Sequence, residues 1–177
     1  MSETKQKKSV IDTIILDLAS KKDETVLGAL KKIPSKGNSK VILPLIETYI
    51  RTNNESIKEK IQTILFELKD TSTLDDLISS LNKGNDTVDQ LIMGALWNNN
   101  FNPTDHLHTF VKASINGSYL TAFEGLTLIE SMDGEFGEQA VLDSIFDLTE
   151  AIDKGTNEKT EVLKTMLTYL AEMNQRI

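Results

Sequence analysis

VILPLIETYIRTNNESIKEKIQTILFEL, residues 41–68, reads as two helices joined by a polar break. From Val41 to Ile50 the apolar residues recur at helical spacing, with Ile46 and Ile50 one turn apart. Asn53-Asn54-Glu55 interrupts the pattern. Such a cluster predicts a turn and then a helix start, because Asn side chains bond the backbone amides that a first helical turn leaves without partners. The apolar pattern resumes from Ile57 to Leu68, with Ile57, Ile61 and Ile64 on one face.

The same unit recurs on both sides. Asp23, Asn54, Asn85 and Asn116 are spaced 31 residues apart, each in a polar cluster. Three residues beyond each anchor stand Val26, Ile57, Val88 and Tyr119; seven beyond, Leu30, Ile61, Ile92 and Phe123; ten beyond, Ile33, Ile64, Ala95 and Leu126. This 3-4-3 spacing predicts one buried face of a second helix in each unit. Backward from the anchors, Ile15, Ile46 and Leu77, with Ala19, Ile50 and Leu81, predict the first helices. The fourth copy has His108 and Lys112 there, and Leu107, Phe110 and Val111 are expected to take over its buried face. A fifth unit has a first helix over about 137–152 (Val141, Leu142, Ile145, Phe146, Leu148) and a second carrying Val162, Leu163, Met166, Leu167 and Leu170. The expected architecture is all-α, a right-handed α-α superhelix of about five helix pairs in one domain over 1–177. The repeats are placed at about 9–37, 38–70, 71–102, 103–135 and 136–177. One pair cannot bury its apolar stripe alone, whereas stacked pairs bury it jointly. No segment alternates with the period of two that a strand requires.

With the pairs in place, the chain resembles HEAT-like helical-repeat proteins over about residues 9–174. The second unit carries the likeness best, and Pro44 inside its first helix is a feature of such repeats. The sequence departs from the pattern in lacking an evident arginine in the second helices and an equivalent proline in the other first helices. Ala95-Leu96-Trp97 through Tyr119-Leu120-Thr121-Ala122-Phe123-Glu124 is also similar to a group of small bacterial HEAT-like proteins without an assigned activity. The resemblance implies a binding scaffold, and fold by itself does not fix function.

The absence of cysteine excludes disulfides, thiolate metal sites and cysteine nucleophiles. Lys5, Lys7 and Lys8 before the apolar stretch Val10–Ala19 superficially resemble a signal peptide, but Asp12 and Asp17 interrupt it, as in an amphipathic helix. No apolar run approaches the ~20 residues of a membrane-spanning helix. A cytoplasmic protein with no membrane contact is expected. The net charge is −8, but residues 70–153 hold Lys83 and Lys112 against 15 Asp and Glu, a local −13. Nucleic acid is therefore not an expected partner, since phosphate neutralisation needs clustered Lys and Arg. A solvated surface that keeps the chain in solution explains the acidic middle equally well.

Chemistry is sparsely signalled. His106 and His108, the two histidines, are two residues apart and would point about 200° apart on a helix, so they do not suit one metal. Asp75-Asp76 and the group Glu130, Asp133 and Glu135 do not form a calcium loop, and helix capping or solvation explains them. No phosphate-binding glycine loop or nucleophile elbow occurs. HEAT-like DNA glycosylases need a basic groove, whereas Arg51 and Arg176 are the chain's two arginines; bilin lyases have nothing specific in their favour. No cofactor or metal is expected.

A second row lies more than 100° from the core trio on the second helices: Phe66, Trp97 and Leu128, following Ser35 in the first unit. Gln62, Met93 and Glu124 rim it. A wide stripe packed between adjacent units is the preferred explanation of the row, and a docking surface is the functional one. The expected function is a non-enzymatic protein-interaction module or adaptor that binds a partner through Gln62, Phe66, Met93, Trp97, Glu124 and Leu128. The alternatives are a self-associating structural solenoid and, third, a HEAT-like enzyme such as a lyase or DNA glycosylase.

Overall fold

The computed structural model describes residues 9–33 and 39–174. Lys5, Lys7, Lys8, Ser35 and Arg176, and the ends of the first and fifth expected repeats, lie outside the described residues. Within them the chain is all-helical, with no strand. The helices are α1 Val10–Leu18, α2 Asp23–Leu30, α3 Ser39–Arg51, α4 Glu55–Phe66, α5 Leu74–Ser79, α6 Asp86–Asn98, α7 Leu107–Asn116, α8 Tyr119–Ser131, α9 Glu138–Asp153 and α10 Thr160–Asn174. Two fall in each of the five expected segments. Short 3-10 turns, Thr71–Thr73 and Thr104–His106, lead into α5 and α7. Pro103 immediately precedes the second of these turns.

The helix starts follow from the polar clusters. Asn54, Asn85 and Ser118 each accept hydrogen bonds from backbone amides in the first turns of α4, α6 and α8. Ser9 and Asp12 form a reciprocal capping box on α1. Pro44 sits within α3. α1 packs on α2, α3 on α4, α7 on α8 and α9 on α10, whereas α5 packs on α3 rather than on α6. The even-numbered helices touch in the series α2, α4, α6, α8, α10, while α1 meets α3, α3 meets α5, and α7 meets α9. The core lies between the two rows, from Ile14 and Leu18 through Ile57, Ile61, Ile92 and Phe110 to Met166 and Leu170.

The spacing of 31 residues reappears as bonds between successive units. Asn54 Nδ2 donates to Asp23 Oδ2 at 2.7 Å, Gln90 Nε2 to Thr121 Oγ1 at 3.2 Å, and the backbone amide of Asp133 to Asn102 Oδ1 at 3.0 Å. Each bond joins residues 31 positions apart in adjacent expected segments.

The fourth unit departs from the expected frame. Of the twelve expected core positions nine are buried and Ile64 is half-buried, but Tyr119 and Phe123 are 40% and 49% exposed. Asn116 is the last residue of α7, not a cap, and α8 is capped by Ser118, two residues later. A two-residue shift turns a helix by about 200°. The buried face of α8 is thus Thr121, Ala122, Gly125, Leu126, Leu128 and Ile129. The first helices also need adjustment: α1 buries Ile14 and Leu18 rather than Ile15 and Ala19, and Ile50 is exposed. Leu107, Phe110 and Val111 are buried, as expected for the fourth unit. In α9 Leu142 and Phe146 are exposed, against expectation, while Val141 and Leu148 are buried.

Candidate functional site

Four of the six expected surface residues gather at one groove, and two do not. Met93 and Leu128 are each 0% exposed. The reason is the number of neighbours each helix has. α6 touches α3, α4 and α8, and α8 touches α6, α7 and α10, so each buries a far wider arc than a 3-4-3 trio. Leu91 to Leu96 are buried without interruption. Met93 and Leu128 are therefore core side chains, each contributing about 1.5–3 kcal/mol by burial, and neither can touch a partner.

Gln62 and Phe66 of α4, Trp97 of α6 and Glu124 of α8 line a groove of about 190 Å³. Gln62 is exposed, and the other three are partly buried. Trp97 Nε1–H donates to Glu124 Oε2 at 2.9 Å, tying α6 to α8 across the groove. The Phe66 ring edge lies over Gly94, where a Cβ would meet Phe66 Cζ at 3.1 Å. Tyr49, Gln90 and Asn98, which the sequence pattern did not single out, also line it. Burial raises the Tyr49 phenol above its ordinary pKa, with Lys58 acting in the opposite direction and Glu55 with it. An isolated glycine inside a helical pattern, here Gly94, is the signal that marks such a close approach.

Leu120, 58% exposed, lies one turn before Glu124 on the same stripe of α8. Tyr119 and Phe123 stack beside it, their ring centroids 6.4 Å apart. The frame shift in the fourth unit has placed on the outer face two aromatic residues whose spacing predicted core. Large apolar side chains are also exposed elsewhere, Leu43 and Ile50 on α3 and Leu142 and Phe146 on α9; neither these nor Tyr119, Leu120 and Phe123 belong to the groove lining itself.

A second polar cluster braces the units. Asp86 accepts from the Ser118 backbone amide at 2.7 Å, from Gln90 Nε2 at 2.9 Å and from the Thr121 hydroxyl. Burial pushes its carboxyl upward, but these hydrogen bonds outweigh it and hold the pKa below the usual value. Lys159 Nζ donates to carbonyls at the end of α7, including those of Ile115 and Gly117. Burial lowers the Lys159 pKa, while Asp86 and Glu158 act in the opposite direction. Asp89 is buried and accepts from the Asn82 amide at 3.0 Å; burial raises its pKa, the Asn82 hydrogen bond opposes that, and the Asp86 charge adds to it. A polar hollow of about 520 Å³ lies between the turns, lined by Lys21, Asp23, Arg51 and Asn54 among others. Its charges are mixed, and Arg51 Nη2 is already engaged by the Leu18 carbonyl at 2.7 Å.

His106 lies in the 3-10 turn, and His108 Nε2 and Asp147 Oδ2 are hydrogen-bonded at 2.8 Å between α7 and α9. No group of three metal-ligating side chains occurs among the described residues, and none of their helices is long and apolar enough to cross a membrane. Comparison with protein-family models, with curated proteins and with solved structures found no match.

Proposed function

We propose that this chain is a non-enzymatic protein-interaction module, a solenoid of HEAT-like helix pairs that docks a partner on the outer face of α4, α6 and α8. One observation carries the reading. A groove with two partly buried aromatic side chains, Phe66 and Trp97, adjoins an exposed apolar row on α8. Apolar patches with polar rims mark interaction sites, and aromatic anchors supply most of the energy there. Site-specific photo-crosslinking in extracts of the native cell tests it, with the crosslinker at Gln62 or, for comparison, at Phe146 on α9. The expected result is a discrete crosslinked partner from position 62 that Gly94→Leu, which fills the groove, abolishes. A partner captured equally from both positions, or from 146 alone, would sink the proposal.

Charge favours a second reading, self-association. Residues 1–60 carry 12 Lys and Arg against 8 Asp and Glu, while 70–153 carry −13, so the N-terminal part of one copy attracts the acidic middle of another. Sedimentation of the isolated chain across salt concentration separates the readings: an assembly that dissociates as salt rises supports self-association, and a monomer at every salt concentration removes it.

A further inference from the structure

We infer that the groove between α4, α6 and α8 takes an arginine side chain from a basic segment of the partner, with its guanidinium on Glu124. The inference rests on the proposed interaction function and adds the chemistry of the anchor. Glu124 is the charged residue of the groove lining, and no Lys or Arg lines it. Its Oε2 accepts the Trp97 indole N–H, which fixes the carboxylate at the wall and leaves further acceptor capacity for a second donor. Lys58 of α4, whose charge is felt at Tyr49, is paired with Glu55 at 3.1 Å.

The surrounding helices do not oppose this sign. α6 and α8 carry no Lys or Arg, and Lys58 and Lys60 of α4 are balanced by Glu55 and Glu59. A basic segment is drawn to this face and an acidic one repelled. Size narrows the occupant further. The groove's volume of about 190 Å³ suits one long side chain, below the ~300–1,000 Å³ of small-molecule pockets. Arginine fits the lining better than lysine. Its planar guanidinium packs on aromatic rings and bonds carboxylates through two donors, and its methylenes suit the Phe66 and Trp97 walls. The exposed Leu120, one turn before Glu124 on α8, then receives an apolar residue of the same segment, about one helical turn from the arginine.

Blocked heptapeptides Leu-Ala-Ala-Arg-Ala-Ala-Leu, and the same peptide with citrulline or norleucine in place of arginine, are the probes. Trp97 is the chain's single tryptophan, so its indole N–H resonance and its fluorescence report this groove alone. The arginine peptide is expected to shift the indole signal saturably, and citrulline and norleucine to bind about tenfold more weakly or worse. Glu124→Gln, which keeps an oxygen acceptor for the indole, should erase the preference without changing the helical circular dichroism. Equal binding of all three peptides would overturn the arginine anchor while leaving the interaction surface standing. No shift with any peptide would also overturn it, and the crosslinking at position 62 then decides the interaction reading separately.

Discussion

Gly94 gains most of its meaning from its neighbour. A glycine inside a helix costs about 1 kcal/mol relative to alanine, so one in the middle of α6 needs a reason. The reason is the Phe66 ring edge, which a Cβ would meet at 3.1 Å. Phe66 is only partly buried and stands at the edge of the groove, so its ring can yield by a few tenths of an ångström. Gly94→Ala should therefore leave stability unchanged or raise it by up to about 1 kcal/mol, while narrowing the groove. Urea unfolding together with Trp97 fluorescence checks this. A loss above about 1 kcal/mol would show that Phe66 is held too firmly to move. Gly94 and Phe66 are 28 positions apart in sequence, and the chain pattern does not join them.

Helix-to-helix approach is set at Gly125, where α8 meets α7 and α6. A Cβ there would lie 2.0 Å from Ser114 Oγ and 3.4 Å from Met93 Sδ. Ser114 is buried, and its hydroxyl donates to the Phe110 carbonyl at 2.9 Å, one turn back along α7. Gly125→Ala should cost about 1–3 kcal/mol by overpacking, despite its better helix propensity. Ser114→Ala removes the clashing oxygen, so the double variant should recover most of that loss. The coupling expected in a double-mutant cycle is about 1–2 kcal/mol. Additive losses would mean that α8 is displaced for some other reason. The same junction explains why the fourth unit misleads. Anchored on Ser118, its core positions are Thr121 and Gly125, which do not look like core; anchored on Asn116, Tyr119 and Phe123 do. Apolarity favoured the wrong frame because the close packing of α7 and α8 demands small residues.

Over the whole molecule, Asp89, which is buried, and Asp86, which is half-buried, impose opposing pH dependences. Asp89 has its pKa raised, with burial the largest cause. The folded state thus binds its proton more tightly than the unfolded chain. The stability this gives is fully present below the ordinary Asp value of about 3.9 and is lost as pH rises through the folded value. Asp86 is lowered, so its contribution is present above the ordinary value and is lost as pH falls through the folded one. Asp89→Asn keeps an acceptor for the Asn82 amide and removes the buried charge. It should match the original protein near pH 4 and become the more stable of the two toward pH 7. Denaturant midpoints at several pH values measure the gap. A variant less stable at every pH would mean that the Asp89 charge is compensated in the fold.

Periodicity alone determined the helical class, the placing of helices two to a segment, and most of the inner face, because a helix buries what recurs every three to four residues. Ile57, Ile61, Val88 and Ile92 needed nothing else. The polar clusters determined the caps at Asn54 and Asn85 for an equally local reason, the amides left over at a helix start. Tertiary structure alone decided which outward residues stay outside. Phe66, Trp97 and Leu128 share one position in the repeat, yet Leu128 is enclosed while Phe66 and Trp97 line a groove. Burial on the outer side depends on how many helices flank an element and how closely small residues let them approach. Neither quantity is local to the chain, so position in the repeat could not separate Leu128 from Trp97.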